Sequence, residues 1–424
     1  MFKKAVGLIL VLGLTLSMAI NVSAYKNLEL LLVEEFGYEF VTNHNQSLDL
    51  AEELLSSFPR NRNGEIIHPD SFGGIYINNY GNLVVLTVLD ENENDFTYFA
   101  RPVSHVDMQT VDFSYNYLLS IHDYISQLFL NDPTEFNIGA SFFTTSQNRI
   151  RVQLIHYTDW HIEQFRNYII NSPAIIFEPY VDAGFELRIG TNYFDGELEF
   201  DLEQSYCANL ENIDPFSERS TIWFAPGERI WVESAVGSGR FIGPASAGYR
   251  ANTTFANNRG FVTVAHTVMP GGVSAGARVI NQSGALLGRI APNPRLQSID
   301  AARVQLEPNV MFSDSTAEGV TIVNQVATIL EGTMVSITGT PSNILSARTV
   351  TGRTIDPRVN RTVQGVSIIN GSEIAAVTAA GQSGGIAFTQ GNRHVQGILF
   401  SGNNTVSIIS HAHEINFLTG WRPN

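Results

Sequence analysis

Gly381-Gln382-Ser383-Gly384-Gly385 sets one serine among glycines, the residue that lets a backbone turn tightly and approach a ligand closely. Two stretches upstream complete the pattern. Gly260-Phe261-Val262-Thr263-Val264-Ala265-His266 ends an apolar, β-branched run in a histidine, and Ser298-Ile299-Asp300-Ala301-Ala302-Arg303-Val304 opens another with an aspartate. A serine hydroxyl is a poor nucleophile at neutral pH; it needs a base within hydrogen-bond reach, and the base needs a carboxylate to orient it. All three residue types are here, in the order His, Asp, Ser. The glycines around Ser383 let the N–H groups of Gly381 and Ser383 converge on one point, as an oxyanion hole requires. Alone, each stretch reads as a core histidine, a turn-capping aspartate or an ordinary glycine turn. Together they point to one site.

The surroundings are β-rich. From Ala235 onward, short β-branched runs are punctuated by Gly, Asn and Pro, and no helix is expected before Ile415 to Leu418, which is the signature of a barrel or sandwich. The whole chain has 424 residues, enough for two or three domains. Its 44% hydrophobic and 16% charged residues exclude disorder, collagen and coiled coil. A net charge of -16 would repel a phosphate backbone, so no nucleic-acid partner is expected. Cys207 stands alone, which excludes an intrachain disulfide framework and a cysteine zinc cluster. Residues 1–232 carry 12 basic and 32 acidic side chains, against 13 and 9 in residues 233–424, so the two halves have opposite net charge and could dock by complementary fields.

The first half is of mixed type. Ser47 to Leu55 places leucines at helical spacing, and Ile75-Tyr76-Ile77 and Leu83 to Val88 flank a turn at Asn78 to Asn82. The order then recurs, with a helix at Tyr115 to Leu130, strands at Ile138 to Phe143 and Arg149 to Ile155, a helix at Asp159 to Ile170 and a strand at Ala174 to Phe177. His156, His161 and Asp159 read as a solvated or capping surface. Between about Ser205 and Glu233 the pattern breaks into Asn, Asp, Pro, Ser, Glu and Gly, the best linker in the chain. At the other end, Met1-Phe2-Lys3-Lys4, an apolar run from Ala5 to Val22 and Val22-Ser23-Ala24 read as a signal peptide cut after Ala24. A secreted product is the expectation.

The three islands resemble those of chymotrypsin-fold serine peptidases, and more closely the bacterial streptogrisin and α-lytic protease group. In that group the histidine follows Thr-Ala-(Gly/Ala) and the serine sits in Gly-Asp-Ser-Gly-Gly. The resemblance covers roughly Gly237 to Leu418 and implies His266 as general base, Asp300 as its orienting partner and Ser383 as nucleophile. Phe72-Gly73-Gly74-Ile75-Tyr76, Leu83-Val84-Val85 and Asn148-Arg149-Ile150-Arg151-Val152 are similar to the pro-regions of the same group. Those pro-regions assist folding and inhibit the protease until they are cut away.

The sequence departs from that pattern in places. Thr267 stands where many relatives have a cysteine, and Gln382 where the group has an aspartate whose buried ion pair shapes the oxyanion turn. Gly397-Ile398-Leu399-Phe400-Ser401-Gly402 is similar to the strand that pairs with substrate, with Phe400 in place of the usual serine, or Ser401 in that role after a shift of one. Val377, Phe400, Ser401 and Gly402 are therefore the candidate substrate-binding residues. No acid lies in Ala375 to Ala380, which disfavours a pocket for Lys or Arg and favours an apolar one; His394 leaves a glutamate-preferring pocket open. His411-Ala412-His413-Glu414 offers two imidazoles without a third ligand, so no metal and no cofactor are expected.

These readings combine into one expectation. A signal peptide (1–24), an α+β pro-region (25–204), a linker with a processing site (205–232) and an all-β domain of two antiparallel Greek-key barrels (233–424) form a secreted, auto-inhibited serine endopeptidase precursor. Its partners are protein or peptide substrates and its own pro-region, and it is a monomer. The second reading is a non-catalytic relative that uses the scaffold to bind peptides or cell-surface components.

Overall fold

The structure is a computed structural model that describes residues 30, 32–62, 65–88, 106–182, 184–185, 221–234, 236–238, 241–253, 259–268, 275–291 and 299–423. The signal-peptide reading (1–24), Cys207 and residues 205–220 of the linker lie outside the described residues.

The first half builds two small layers of helix on sheet. Helix α1 (Tyr38–Ser57) buries Phe40, Val41, Leu48, Ala51, Leu54 and Leu55, so it starts nine residues before the stretch from Ser47 that its leucines alone mark. It covers the hairpin of β1 (Phe72–Ile77) and β2 (Leu83–Val88), to which β3 (Val106–Val111) adds in parallel. Helix α2 (Tyr115–Phe129) places Leu118, Ile121, Ile125 and Phe129 on one face at helical spacing, and the Ser114 side chain caps it by accepting from the Tyr117 N–H. That face packs on β4 (Ile138–Thr144) and β5 (Arg149–Leu154), and α3 (Asp159–Tyr168) leads to β6 (Ile175–Pro179), parallel to β5.

The second half is a double barrel. The first contains β8 (Arg229–Glu233), β9 (Phe241–Ser246), β11 (Gly260–Val264), β12 (Arg278–Asn281), β13 (Leu286–Ile290) and β14 (Ala301–Leu306), hydrogen-bonded in the order β11-β14-β13-β12-β8-β9. Bonds from Gly248 N to Val262 O (2.9 Å) and Val262 N to Tyr249 O (3.0 Å), just past β9, bring its two ends together. Phe224, Ile230, Val232, Phe261, Val279, Leu287, Val304 and Phe312 fill it. The second barrel runs β17 (Met334–Gly339), β20 (Ile386–Thr389), β21 (His394–Gly402), β22 (Ser407–His411), β19 (Val366–Ile374), β18 (Arg348–Val363), and a β17–β18 pairing closes the ring. Closure covers the strand edges that an open sheet would carry, except where β18 runs on past its pairing with β17.

One boundary is corrected. Residues 222–232 are not linker: β7 (Ile222–Phe224) and β8 lie there, with Ile230 fully buried in the first barrel. The polar spacing of Pro226, Gly227 and Glu228 that marked the stretch as exposed is the turn between these two strands. The expected C-terminal helix is present as Ala412–Thr419.

The halves share a sheet. Strand β4 pairs antiparallel with β18, with Phe143 opposite Arg358, Phe142 opposite Val359, Ser141 opposite Asn360 and Ala140 opposite Arg361. The second barrel therefore continues through β4 and β5 to β6. From the other side, the Met334 N–H donates to His44 Nε2 (2.9 Å), and Arg353 donates to the carbonyls of Ile77 and Asn78 (both 3.0 Å).

Candidate active site

The end of β11 and the start of β14 are neighbours in the first barrel, Val264 lying opposite Ala301. This register carries His266 and Asp300 to the same spot, one just after each strand's paired end. Asp300 has φ +43°, in the left-handed region that aspartate tolerates better than most residues. In that conformation its Oδ1 accepts from the His266 N–H (2.7 Å), its Oδ2 accepts from His266 Nδ1, and its carbonyl accepts from the Ala265 N–H (3.1 Å). The carboxylate thus fixes both the ring's tautomer and the backbone that carries it. Both side chains are almost wholly buried, and His266 Nε2 has no hydrogen-bond partner among the described residues. An imidazole held on one side by a carboxylate, with its other nitrogen free, is equipped to take up a proton.

The serine turn comes from the second barrel and is pinned to the first. Gly381 and Gly384 have φ +90° and +86°, and a Cβ at Gly384 would stand 2.2 Å from Thr263 Oγ1 on β11. Only glycine lets the turn sit this close to the strand that carries His266. Ser246, at the end of β9, is the hinge pin: its N–H donates to Ser383 O (2.8 Å), its Oγ donates to Gly381 O (2.9 Å) and accepts from Thr340 N (2.8 Å), and its carbonyl accepts from Thr263 Oγ1 (2.8 Å). Nothing in the sequence distinguished Ser246 from other strand-end serines, because its role depends on partners far along the chain. The N–H groups of Gly381 and Ser383 have no hydrogen-bond partner among the described residues. The hydroxyl of Ser383 and Nε2 of His266 are not hydrogen-bonded to each other.

The substrate-strand candidates divide. Phe400 is fully buried, and its ring meets His266 edge to face at 5.8 Å between centroids. A bulge places Leu399 opposite Ile409 and Ser401 opposite Ile408, so Phe400 is the extra residue. That answers why a large ring stands at this point: it belongs to a cluster with Phe185, Val363, Ile368 and Ile408, and Phe185 comes from the first half of the chain. Ser401 is buried beside it, whereas Val377 is 54% exposed. Gly402 lies against two hydroxyls, since a Cβ there would be 2.5 Å from Thr378 Oγ1 and 3.0 Å from Ser407 Oγ. These hydroxyls are 2.9 Å apart, and Ser407 also donates to Ala376 O (2.7 Å). Thr378 and Ser407 were not singled out in the sequence; the absence of acid around Val377 was the only signal.

The remaining histidines take other roles. His394, the candidate for a glutamate pocket, sits at the start of β21 and feels Asp49 and Glu52 of α1, away from the serine turn. His411 is buried and bonded to Ser372 Oγ, while His413 next along is 68% exposed, so the His-x-His pair does not converge. Among the described residues no group of three His, Cys, Asp or Glu side chains is placed to hold a metal. In the turn before α3, Thr158 Oγ1 caps the helix and contacts His161 Nδ1 (2.8 Å).

Known proteins bear on both halves. The family described as Pro-like N-terminal domain matches residues 37–105, and the Pro-like C-terminal domain matches residues 116–179. Among solved structures, Thermobifida fusca protease A is 16% identical, covering 47% of this chain and 97% of its own, with a TM-score of 0.38. Nocardiopsis protease is 18% identical over 47% of this chain and 98% of its own, TM-score 0.37. A glutamic acid specific serine protease described as using a histidine triad in substrate binding is 19% identical over 47% of this chain and 100% of its own, TM-score 0.38. No curated protein matches the sequence. The double barrel stands on its own strand order and cores. Residues 37–105 and 116–179 thus match Pro-like N-terminal and C-terminal domains, and they precede a double β-barrel with the two-barrel architecture of the chymotrypsin fold.

Proposed function

We propose that this chain is the precursor of an exported serine endopeptidase, held inactive by its Pro-like half. The observation that carries the reading is the buried His266–Asp300 pair with a free Nε2, beside a glycine turn that presents Ser383 and two unpartnered N–H groups. Ser383 Oγ attacks the scissile carbonyl as His266 Nε2 takes its proton, while Nδ1–H stays on Asp300. The N–H groups of Gly381 and Ser383 receive the oxyanion. The intermediate collapses as His266 protonates the leaving amine, and water then hydrolyses the acyl-enzyme by the same steps in reverse order. Apo triads often lack the serine–histidine bond and acquire it with substrate, so its absence here is compatible with this cycle.

The reading assigns inhibition to the contacts between the two halves. Strand β4 occupies the edge of β18, and the chain after β6 brings Phe185 into the cluster that contains Phe400, the ring against His266. Export rests on the leader at 1–24, and processing is assigned to the part of the 205–232 stretch that precedes β7, residues 205–221. A fluorophosphonate reporter tests the activity directly, because only an activated serine displaces its fluoride. Labelling of the wild type and none of Ser383→Ala is expected; wild type that stays unlabelled after removal of the Pro-like half contradicts catalysis and leaves a peptide-binding scaffold.

A further inference from the structure

Gln382 precedes the serine and is 1% exposed. Its carboxamide has every hydrogen engaged: Nε2 donates to Gly339 O (3.2 Å) at the end of β17 and to Arg348 O (3.0 Å) at the start of β18, while Oε1 accepts from Ala379 N (2.7 Å) in the turn. Its backbone adds two more bonds, from its N–H to Ala379 O (3.1 Å) and from Gly385 N to its carbonyl (2.8 Å). One side chain therefore ties the loop 379–385 to two barrel strands, and the two N–H groups left over flank it at Gly381 and Ser383. The clamp contains no charge. Of the charged side chains on the surrounding segments, Arg348 is exposed, Glu318 accepts from Thr349 Oγ1 and Arg229 donates to the carbonyls of Pro341 and Ile344, while Glu228, whose carbonyl accepts from Ala247 N, has its pKa raised by burial to about 7.

We infer that Gln382 is a positioning residue which sets the oxyanion-binding turn through this neutral three-way clamp, so that the turn's geometry does not titrate. The inference rests on the serine peptidase reading. The donor pattern is specific to an amide. A carboxylate in the same place would still accept from Ala379 N but would turn its second oxygen on two carbonyls with no hydrogen between them. Burial and that repulsion both disfavour the charged form and raise its pKa. A protonated carboxyl restores one of the two donations; an ionised one restores neither.

The test follows. In the secreted chain after removal of its Pro-like half, Gln382→Glu and Gln382→Met are compared with wild type by the rate of fluorophosphonate inactivation across pH, separating the binding constant from the limiting rate. In that reaction Ser383 Oγ forms the bond to phosphorus, fluoride leaves and His266 takes the proton, so the same oxyanion donors are used. Gln382→Glu is expected to react at low pH and to lose limiting rate as pH rises, by on the order of 10²-fold at alkaline pH, with the binding constant little changed. Gln382→Met is expected to lose rate equally at every pH. If Gln382→Glu fails to fold, judged by thermal melting, Gln382→Met alone decides: an unchanged limiting rate overturns the inference. A Gln382→Glu profile parallel to wild type also overturns it. Wild type that does not react once the Pro-like half is removed overturns the peptidase reading instead, which keeps the two failures distinct.

Discussion

Two seams hold the active region in place, and they are made of different chemistry. The serine turn is locked by amide, hydroxyl and backbone groups of Gln382, Ser246 and Thr340, all neutral. The seam between the Pro-like half and the second barrel is full of ionisable groups. Asp356 accepts from Thr144 Oγ1 (2.7 Å) and pairs with Arg151 (3.3 Å), which also pairs with Glu178 (2.9 Å). His44 and His122 are buried in it, the latter beside Asn360, whose Nδ2 donates to Ser126 Oγ (2.8 Å) and Ser141 Oγ (2.9 Å). The difference separates two needs. On the proposed function, the neutral seam keeps the serine turn's geometry independent of pH, whereas the docking seam carries buried titratable groups whose charge state changes with pH.

The largest effect belongs to the residues that the neutral seam positions. Replacing His266 by alanine is expected to lower the inactivation rate by about 10⁴-fold or more and Ser383→Ala to abolish it, with melting little changed, as triad members act together. Equal rates in the mutants would dissolve the distinction between the seams, because no catalytic geometry would then exist to protect.

Next comes the docking seam. Asn360→Ala in a Ser383→Ala background, where the chain stays whole, leaves the hydroxyls of Ser126 and Ser141 and the ring of His122 short of a partner. A loss of about 2–4 kcal/mol in denaturant unfolding is expected. No change would show that water replaces the asparagine and that the seam is held by β4–β18 pairing alone.

The pH response of the same uncut chain is of similar or smaller size. Burial lowers the pKa of His44 from 6.5 to about 4 and that of His122 to about 3, with Arg358 adding repulsion at His122. Burial likewise lowers His68 to about 4. These folded values lie below the unfolded one, so from pH 6.5 downward the unfolded state binds more protons and stability falls, until about pH 4 where His44 and His68 charge in the folded chain as well. His44 alone contributes roughly 2–3 kcal/mol over that window. Glu331, Asp356 and Glu373 act in the opposite sense, because burial raises their pKa and their protonation relieves a cost as pH falls. His44→Gln keeps an acceptor for the Met334 N–H and removes the titration. Urea unfolding between pH 7 and about 4.5 is expected to show a shallower slope for the variant; an unchanged slope assigns the pH response to other groups.

The smallest effect lies away from both seams. Ser114→Ala removes the cap of α2 and is expected to cost about 1 kcal/mol by thermal melting, with no change in pH slope. A shift of slope there would mean that the Pro-like half responds as a whole and not through its seam.

Much of this was legible in the sequence because it is local. Periodicity marks α2, and β-branched runs around Asn78–Asn82 mark the first hairpin. The three islands mark His266, Asp300 and Ser383 because each sits at a strand end or glycine turn. What was not legible depends on distant partners. Ser246 and Thr378 are ordinary in their neighbourhoods, and only the pairing of two barrels gives them partners. Strand β3, Val106–Val111, is mostly polar and exposed, so its alternation carries no signal until β2 supplies an edge. Phe400 looked like a defect in a substrate strand; it is the bulged residue between His266 and a cluster that Phe185 joins from the other half. The boundary near residue 222 was misread because a turn between two strands has the same composition as a linker.

The proposal that the chain is a serine peptidase precursor, extended here to self-processing, is tested most directly by intact mass and amino-terminal sequencing of wild type beside Ser383→Ala. The account predicts that wild type is cut between residues 205 and 221 and that Ser383→Ala stays whole. Both proteins remaining uncut, with wild type unreactive to fluorophosphonate, would contradict it.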